Sequence, residues 1–190
     1  MALALDHGHA PDYRAGIEAE RRAKDALFRT SPHSPLDPAA RADFAGLRYF
    51  PVDPVYRFEC LRLMPYVGDR PASFAMPTSD GRLREATRTG TLAFRFDGGR
   101  HTLVAYRLPG GRGDRLFVPF MDATSGHETY GAGRYLDLEA GRDGRYTLDF
   151  NLAYHPYCAW SPNFSCPLTP EENRLALSVE AGERLNAPTT

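Results

Sequence analysis

The stretch TGTLAFRFDGGRHTLVAYRL, residues 89–108, decides the fold that the sequence predicts. Two runs that alternate apolar and polar residues flank the triplet Asp97, Gly98 and Gly99. A period of two places one face of a strand in the core, and a short glycine-containing turn joins two strands into an antiparallel hairpin. The stretch therefore predicts a hairpin at the centre of a β-sheet.

The same pattern continues on both sides of the hairpin. Further strand-like runs occupy residues 55–64, 115–120, 134–138 and 145–150. The triplet from Asp143 to Arg145 predicts a second hairpin turn, and Leu175 to Val179 predicts a last strand. Several short strands at this spacing are typical of an antiparallel β-barrel or sandwich.

One helix is predicted before the strands. From Asp12 to Arg29 the chain has no proline and is rich in Ala, Glu, Arg and Leu, which favours a helix over residues 12–29. The fold is thus predicted to be mainly β with α (α+β), with an N-terminal capping helix. Near the other end, LTPEEN predicts a helical turn with Thr169 as its N-cap and Glu172 completing a capping box.

Length and these patterns predict the domain organisation. We expect residues 1–11 to be disordered, residues 12–185 to form a single domain and residues 186–190 to be a tail. Within that domain, the β-rich body is predicted to span residues 47–180.

Composition narrows the class of protein and the partners. The 190 residues are 42% hydrophobic and 25% charged with a net charge of −1, which is typical of a soluble globular domain and argues against nucleic acid as a partner. No apolar run is long enough for a membrane span, so we expect a cytoplasmic protein with no membrane partner. The oligomeric state does not follow from the sequence.

Two features of composition bear on a site. The three cysteines, Cys60, Cys158 and Cys166, are expected to be reduced and metal-free in a cytosol. The chain has twenty-two arginines and a single lysine, Lys24. Lys24 stands there either by chance on a solvated helix face or because a ligand requires a compact ammonium group.

The stretch FMDATSGHETYGAGRYLDLE, residues 120–139, is rich in polar groups. If Leu136 and Leu138 enter the core, Arg134 points inward with them, and a buried guanidinium needs an anion. The candidate anions are Asp122, Asp149 or the acidic group of a ligand. The hydroxyls of Thr124 and Tyr130 either line a concavity with it or satisfy one another in a structural turn network.

The second dense stretch, residues 149–167, carries a histidine, two thiols and several aromatic rings. His155, Cys158 and Cys166 lack a fourth partner and the spacing of a zinc site, so we expect no metal and no cofactor. As a nucleophile Cys158 would need a base, for which His155 is a weak candidate, and a buried apolar cysteine is the simpler interpretation. Phosphate-binding loops and nucleophile elbows are absent from the sequence.

Four segments together resemble the bacterial domain of unknown function 1684 family. They are RRAKDALF with SPHSPL, GLRYFPVDPVYRF, FMDATSGHETYGAGRYL and DFNLAYHPYCAWSPNFSCPLTPEENRLALSVEAGE. The resemblance covers nearly the whole chain and implies no activity. The family pattern usually carries Asn at the position of His155, which puts a general role for this histidine in doubt.

Two functions remain open. The first is a pocket at one end of the β-structure for a small anionic or polar ligand, with Asp122 and Tyr130 as candidate catalytic residues of a hydrolytic or isomerising reaction. Its predicted ligand-binding residues are Arg134, Thr124, Asn151, Tyr154 and Lys24. The second is a non-catalytic interaction or scaffold module whose polar stretches are structural corners.

Overall fold

The computed structural model describes residues 10–110 and 115–185. The segments that the sequence predicts as disordered (residues 1–11) and as a tail (residues 186–190) lie almost wholly outside the described residues. The chain divides into two compact units between Leu47 and Arg48. We call them the helical unit and the β-rich unit. The fold is mainly β with one long N-terminal helix, and its strands are antiparallel.

The helical unit contains α1, Ala10–Thr30, and α2, Pro38–Ala42. The Asp37 side chain caps α2 by accepting a hydrogen bond from the Ala40 amide at 2.8 Å. In this unit the Phe28 and Phe44 rings stack with their centroids 5.8 Å apart. In the described residues, no helix combines the length and the apolar character that a membrane span requires.

In the described residues of the β-rich unit, ten strands form three sheets. The first sheet pairs β1 (Arg48–Tyr49) with β10 (Glu183–Arg184), and the second pairs β2 (Arg57–Leu61) with β9 (Tyr146–Asp149). The six strands of the third sheet are β3 (Met64–Pro65), β4 (Ser73–Pro77), β5 (Leu83–Phe96), β6 (Gly99–Arg107), β7 (Leu116–Phe120) and β8 (Arg134–Leu138). Their order is β3-β5-β6-β7-β8, with β4 also paired to β5.

The central hairpin forms where the sequence predicts it. Phe96 pairs with Gly99, so Asp97 and Gly98 form a two-residue turn, and both have positive φ, 48° and 71°. Such a turn matches the twist of the two strands that it connects. The strand pairings of the described residues do not close into a barrel, and a sandwich arrangement stays a prediction.

In the middle of the third sheet, around β6 and β7, both faces are buried. One face packs into a cluster that includes Leu92, Leu103 and Val118, and the other into a cluster that includes Val104 and Tyr106. Because β6 and β7 contribute to both clusters, residues 103–106 of β6 and 116–120 of β7 are buried without interruption. This explains why the alternation is clear in β5 and fades in the next two strands.

Two local predictions were wrong. Tyr146 to Asp149 pairs with β2 and not with β8, so the turn at residues 143–145 does not close a hairpin. Leu175 to Val179 forms no strand, because its backbone groups bond to the segment that follows β7. There Leu175 donates to the Met121 carbonyl at 2.8 Å, and Ala123 donates to the Leu177 carbonyl at 2.9 Å.

The predicted capping box in LTPEEN is also wrong. A single 3₁₀ turn spans Glu171–Asn173 and has no side-chain cap. Thr169 instead donates to the Ala132 carbonyl at 3.0 Å, and Glu172 accepts from Arg88 at 2.7 Å. Long-range partners therefore take the two side chains that a local cap would use.

Asn173 joins β6 to β7 where the two strands separate. Among the described residues, Tyr106 and Phe117 are the one pair that joins these strands directly. The Asn173 side chain, fully buried, accepts from the Val104 amide at 2.8 Å and donates to the carbonyls of Val104 and Pro119 at 2.8 and 2.7 Å. One amide thus supplies the hydrogen bonds that a continuous ladder would have made.

Candidate functional site

Arg134, the first residue of β8, lies at the centre of the polar stretch. As predicted from its parity with Leu136 and Leu138, its side chain points inward, and it is fully buried. Nη2 donates to the Val179 carbonyl at 2.8 Å and to the Asp122 carboxylate at 3.4 Å. Nη1 donates to the carbonyls of Ala181 and, at 3.2 Å, Glu183. Of the predicted partners, Asp122 is the anion that the fold supplies.

Asp122 is held from several sides at once. Its Oδ2 accepts from the Val179 amide at 2.7 Å and from the Thr124 hydroxyl at 2.9 Å. The Ser125 hydroxyl donates to Oδ1 at 3.2 Å. Thr124 in turn lies 2.9 Å from the Thr129 hydroxyl, so donors and acceptors match along the chain of side chains.

We call this arrangement the Arg134 network. It comprises the side chains of Asp122, Thr124, Ser125, Thr129 and Arg134 with the backbone of residues 179–183. Burial lowers the pKa of Arg134 from its ordinary value, and the charge of Asp122 opposes that shift. Because the ion pair is enclosed in a region of low polarity, removing one partner is costly for the other.

One glycine of the stretch has a clear structural reason. Gly133 has a φ of +98°, and a Cβ there would lie 2.5 Å from both the Phe120 carbonyl oxygen and the Thr169 hydroxyl. No side chain fits at this distance. Gly133 thus allows the chain to enter β8 with Arg134 directed into the core.

Tyr130, the second catalytic candidate, belongs to a different cluster. Its ring is half-buried, and its hydroxyl lies 3.9 Å from the Cys158 sulfur. Burial and the neighbouring Cys158 raise the pKa of Tyr130 above its usual value. A phenol with a raised pKa keeps its proton at neutral pH, so it is poorly suited to act as a general base there.

His155 connects Tyr130 to the C-terminal segment. Its Nε2 accepts a hydrogen bond from the Tyr130 amide at 3.3 Å, which requires the neutral tautomer with the proton on Nδ1. That nitrogen faces Glu183 Oε2 at 3.8 Å, and the same carboxylate oxygen accepts from the His155 amide at 2.7 Å. His155 is fully buried, and this geometry gives it a positioning role in the fold.

We expect His155→Asn to keep the free energy of unfolding within about 1 kcal/mol of the native value, since an amide has an acceptor and a donor like the neutral imidazole. His155→Leu should lower it by about 2 kcal/mol or more, because the Tyr130 amide then has no acceptor. Urea denaturation of both variants provides the measurement. Equal stability of the two variants would exclude the polar role.

The other predicted ligand-binding residues lie in separate contacts. The Asn151 side chain donates to the Asp53 carbonyl at 2.8 Å and accepts from the Asp53 amide at 2.9 Å. The Tyr154 hydroxyl donates to Asp137 at 2.8 Å. Lys24 lies in α1 of the helical unit, with its ammonium 5.6 Å from the centre of the Phe28 ring. The structure therefore joins Asp122, Thr124 and Arg134 in one network, and the ligand-binding roles stay predictions.

The three cysteines are free thiols. Burial raises the pKa of Cys166 to about 11, so its thiol is a weak nucleophile at neutral pH. Its sulfur accepts from the Cys158 amide at 3.3 Å. Within residues 10–110 and 115–185, no three His, Cys, Asp or Glu side chains form a group that could hold a metal ion.

A further buried ion pair was missed from the sequence. Arg88 of β5 is almost fully buried, bonds to Glu172 at 2.7 Å and lies 3.8 Å above the Phe74 ring. The Tyr106 hydroxyl donates to the same carboxylate oxygen at 3.0 Å. The two-residue period of β5 could have predicted that Arg88 points inward, since Arg88 lies on the same face of the strand as the buried Ala86.

Comparison with known proteins identifies a family and a similar solved structure. A family model described as a protein of unknown function (DUF1684) matches residues 42–184. The solution NMR structure of an uncharacterised protein of Haloarcula marismortui is 43% identical and has a TM-score of 0.71, covering 94% of this chain and 97% of that chain. A search of curated proteins found no match. Neither matching description states an activity.

Proposed function

We propose that the β-rich unit is a non-catalytic module that binds a small anionic or polar molecule. The chain belongs to the DUF1684 family of proteins of unknown function. On this proposal the Arg134 network is a structural frame, and the molecule binds elsewhere on the unit. Asp122 and Tyr130 then perform no acid or base step.

The observation that supports this proposal is the set of partners around Asp122 and Arg134. Both side chains are completely buried, and the carboxylate accepts from an amide, a guanidinium and two hydroxyls of the protein. A general base needs a free lone pair within reach of the substrate proton. The two Nη atoms of Arg134 already donate to one carboxylate and three carbonyls, so within the described part of the chain only the buried Nε–H has no partner, and it lies out of reach of a ligand anion while the network stays closed.

The alternative is the ligand pocket predicted from the sequence, in which Arg134 holds an anion and Tyr130 orients it. That function requires the Arg134 network to open, because the guanidinium is fully buried in the closed arrangement. The predicted catalytic pair consists of Asp122 and Tyr130. Of these two residues, Tyr130 is partly exposed, whereas Asp122 is buried. Tyr130→Phe is therefore the variant that distinguishes the two functions.

A thermal-shift screen of anionic and polar metabolites tests the proposal. A ligand at about one hundred times its Kd stabilises the native state by about 2.7 kcal/mol, which is a readily measured rise in Tm. We expect at least one metabolite of the screen to raise the Tm in this way, and to raise the Tm of Tyr130→Phe equally. The NMR spectrum of that metabolite should not change after long incubation with the protein. Conversion of the ligand, or a rise that disappears in Tyr130→Phe, would contradict the non-catalytic module.

A further inference from the structure

A cleft of about 580 Å³ lies on the β-rich unit between β2 and β5. The side chains that matter for its chemistry are three arginines, one carboxylate and two rings: Arg57, Arg95, Arg100, Glu59, Phe58 and Phe94. Pockets of this size are typical for small-molecule ligands. None of these residues belongs to the Arg134 network.

Arg95 and Arg100 face each other across the central hairpin. They are direct cross-strand partners of β5 and β6, and both are exposed. Like charges directly opposite each other destabilise an antiparallel pair. Within the part of the chain that the structure describes, neither side chain has an acidic or hydrogen-bonded partner. The hairpin therefore carries an uncompensated repulsion at the rim of a cleft.

The other arginines of the same unit differ in whether a carboxylate lies beside them. Carboxylates lie within 3.5 Å of the guanidinium groups of Arg70, Arg82, Arg115 and Arg145. Among the described residues, the exposed Arg62, Arg84 and Arg142 have no carboxylate partner either, so Arg95 and Arg100 are distinguished by facing each other across the hairpin. An anion placed between Arg95 and Arg100 would convert the repulsion into two favourable contacts.

The remaining charges of the cleft leave it positive. Arg57 lies 2.6 Å from Glu59, and its Nε lies 3.9 Å from Asp149, so the charge of Arg57 is compensated and the positive charge of the cleft comes from Arg95 and Arg100. Three guanidinium groups and one carboxylate give a formal net charge of plus two. A ligand with two negative charges would balance this charge.

The floor and the walls of the cleft add two further features. The Phe58 and Phe94 ring centroids lie 4.7 Å apart; Phe94 is a core residue, and the partly exposed Phe58 gives the floor its accessible apolar surface. In the described residues, β2 pairs only with β9, and residues 92–96 of β5 pair only with β6. The edges that face the cleft therefore form no ladder with each other, and their amides can donate to ligand oxygens.

We infer that this cleft binds a small molecule with at least two negative charges, carried by one phosphoryl group or by two carboxylates, attached to an apolar body. The inference rests on the proposed function, because it names the ligand class and the location of the binding site. Guanidinium groups bind both oxyanions in a bidentate manner, and Arg95 and Arg100 are the residues that hold the charged group. The apolar body lies against the partly exposed Phe58.

Titration calorimetry at low ionic strength tests the cleft with three probes: phenyl phosphate, phthalate and inorganic phosphate. We expect phenyl phosphate or phthalate to bind saturably and more tightly than inorganic phosphate, because only the first two carry a ring. The two ring probes distinguish a phosphoryl from a carboxylate ligand. Absence of saturable binding by both, or a Kd for inorganic phosphate as low as theirs, would overturn the inference.

Matched variants separate the cleft from bulk charge. Arg95→Gln with Arg100→Gln should raise the Kd of the ring probe at least tenfold. Arg84→Gln with Arg142→Gln removes the same two charges from exposed positions outside the cleft and should change the Kd less than twofold. Equal weakening in both double variants would reduce the effect to long-range electrostatics and reject the site.

A second variant tests the repulsion itself. Arg100→Glu places opposite charges across the hairpin, so we expect a higher urea midpoint together with loss of probe binding. A lower midpoint or retained binding would contradict the inference. The metabolite screen could yield a ligand that still binds to the double variant Arg95→Gln with Arg100→Gln. In that case the proposed binding function is retained, and the cleft is rejected as the binding site.

Discussion

Replacing Arg134 with methionine should lower the free energy of unfolding by about 3 to 5 kcal/mol, the largest effect that we expect from a single substitution in this chain. The guanidinium is fully buried and contacts the Asp122 carboxylate and three carbonyls. Methionine fills a comparable volume but donates no hydrogen bond. A buried carboxylate would thus lose its cation, and three carbonyls would lose a donor.

Urea denaturation followed by circular dichroism provides this measurement. Arg115→Met is the matched control, because Arg115 forms an exposed ion pair with Glu139 at 3.0 Å and should change stability by less than about 1 kcal/mol. A loss below about 1 kcal/mol for Arg134→Met would show that the unliganded fold does not need the guanidinium. That result would support the alternative function, in which Arg134 binds an anionic ligand.

A double-mutant cycle identifies the origin of the loss. Asp122→Asn removes the charge that Arg134→Met leaves without a partner, so the combined variant should be more stable than the sum of the two single losses predicts. We expect a coupling energy of about 1 to 3 kcal/mol, as is usual for residues in one network. Strict additivity would mean that Asp122 and Arg134 stabilise the fold independently.

Replacing Asn173 with alanine should lower the free energy of unfolding by about 3 kcal/mol. Its side chain makes three hydrogen bonds that join Val104 of β6 to Pro119 of β7. Alanine leaves one buried amide and two buried carbonyls without these partners. Each unsatisfied buried group costs about 1 kcal/mol or more, and relaxation of the strands recovers only part of that cost.

Denaturant melts and amide hydrogen exchange test this prediction together. Exchange of the Val104 amide should accelerate in Asn173→Ala, because that amide donates to Asn173 Oδ1. Asn163→Ala is the control, since Asn163 is exposed, and it should change stability by less than about 0.5 kcal/mol. A loss of stability below 1 kcal/mol in Asn173→Ala would mean that other contacts hold β6 and β7 together.

The sequence by itself determined those features that depend on neighbours along the chain. The hairpin follows from alternation around Asp97 and Gly98, whose backbone conformation is set locally. The inward direction of Arg134 follows from the two-residue period of β8. Helix α1 follows from helix-forming composition without proline. In each case the physical cause acts within a few residues, so the pattern is visible in the sequence.

The tertiary structure decided which groups these side chains meet. The carbonyls that surround Arg134 come from residues 179–183, and no residue type marks a carbonyl that will face a guanidinium. Local reasoning assigned Glu172 to a capping box, whereas a buried arginine 84 positions earlier holds it. The facing pair of Arg95 and Arg100 follows from the turn, but the cleft beside it exists only because β2 pairs with β9 and leaves β5 uncovered. Contacts between distant segments depend on how the whole chain packs, and a sequence pattern with a period of two residues carries no information about that packing.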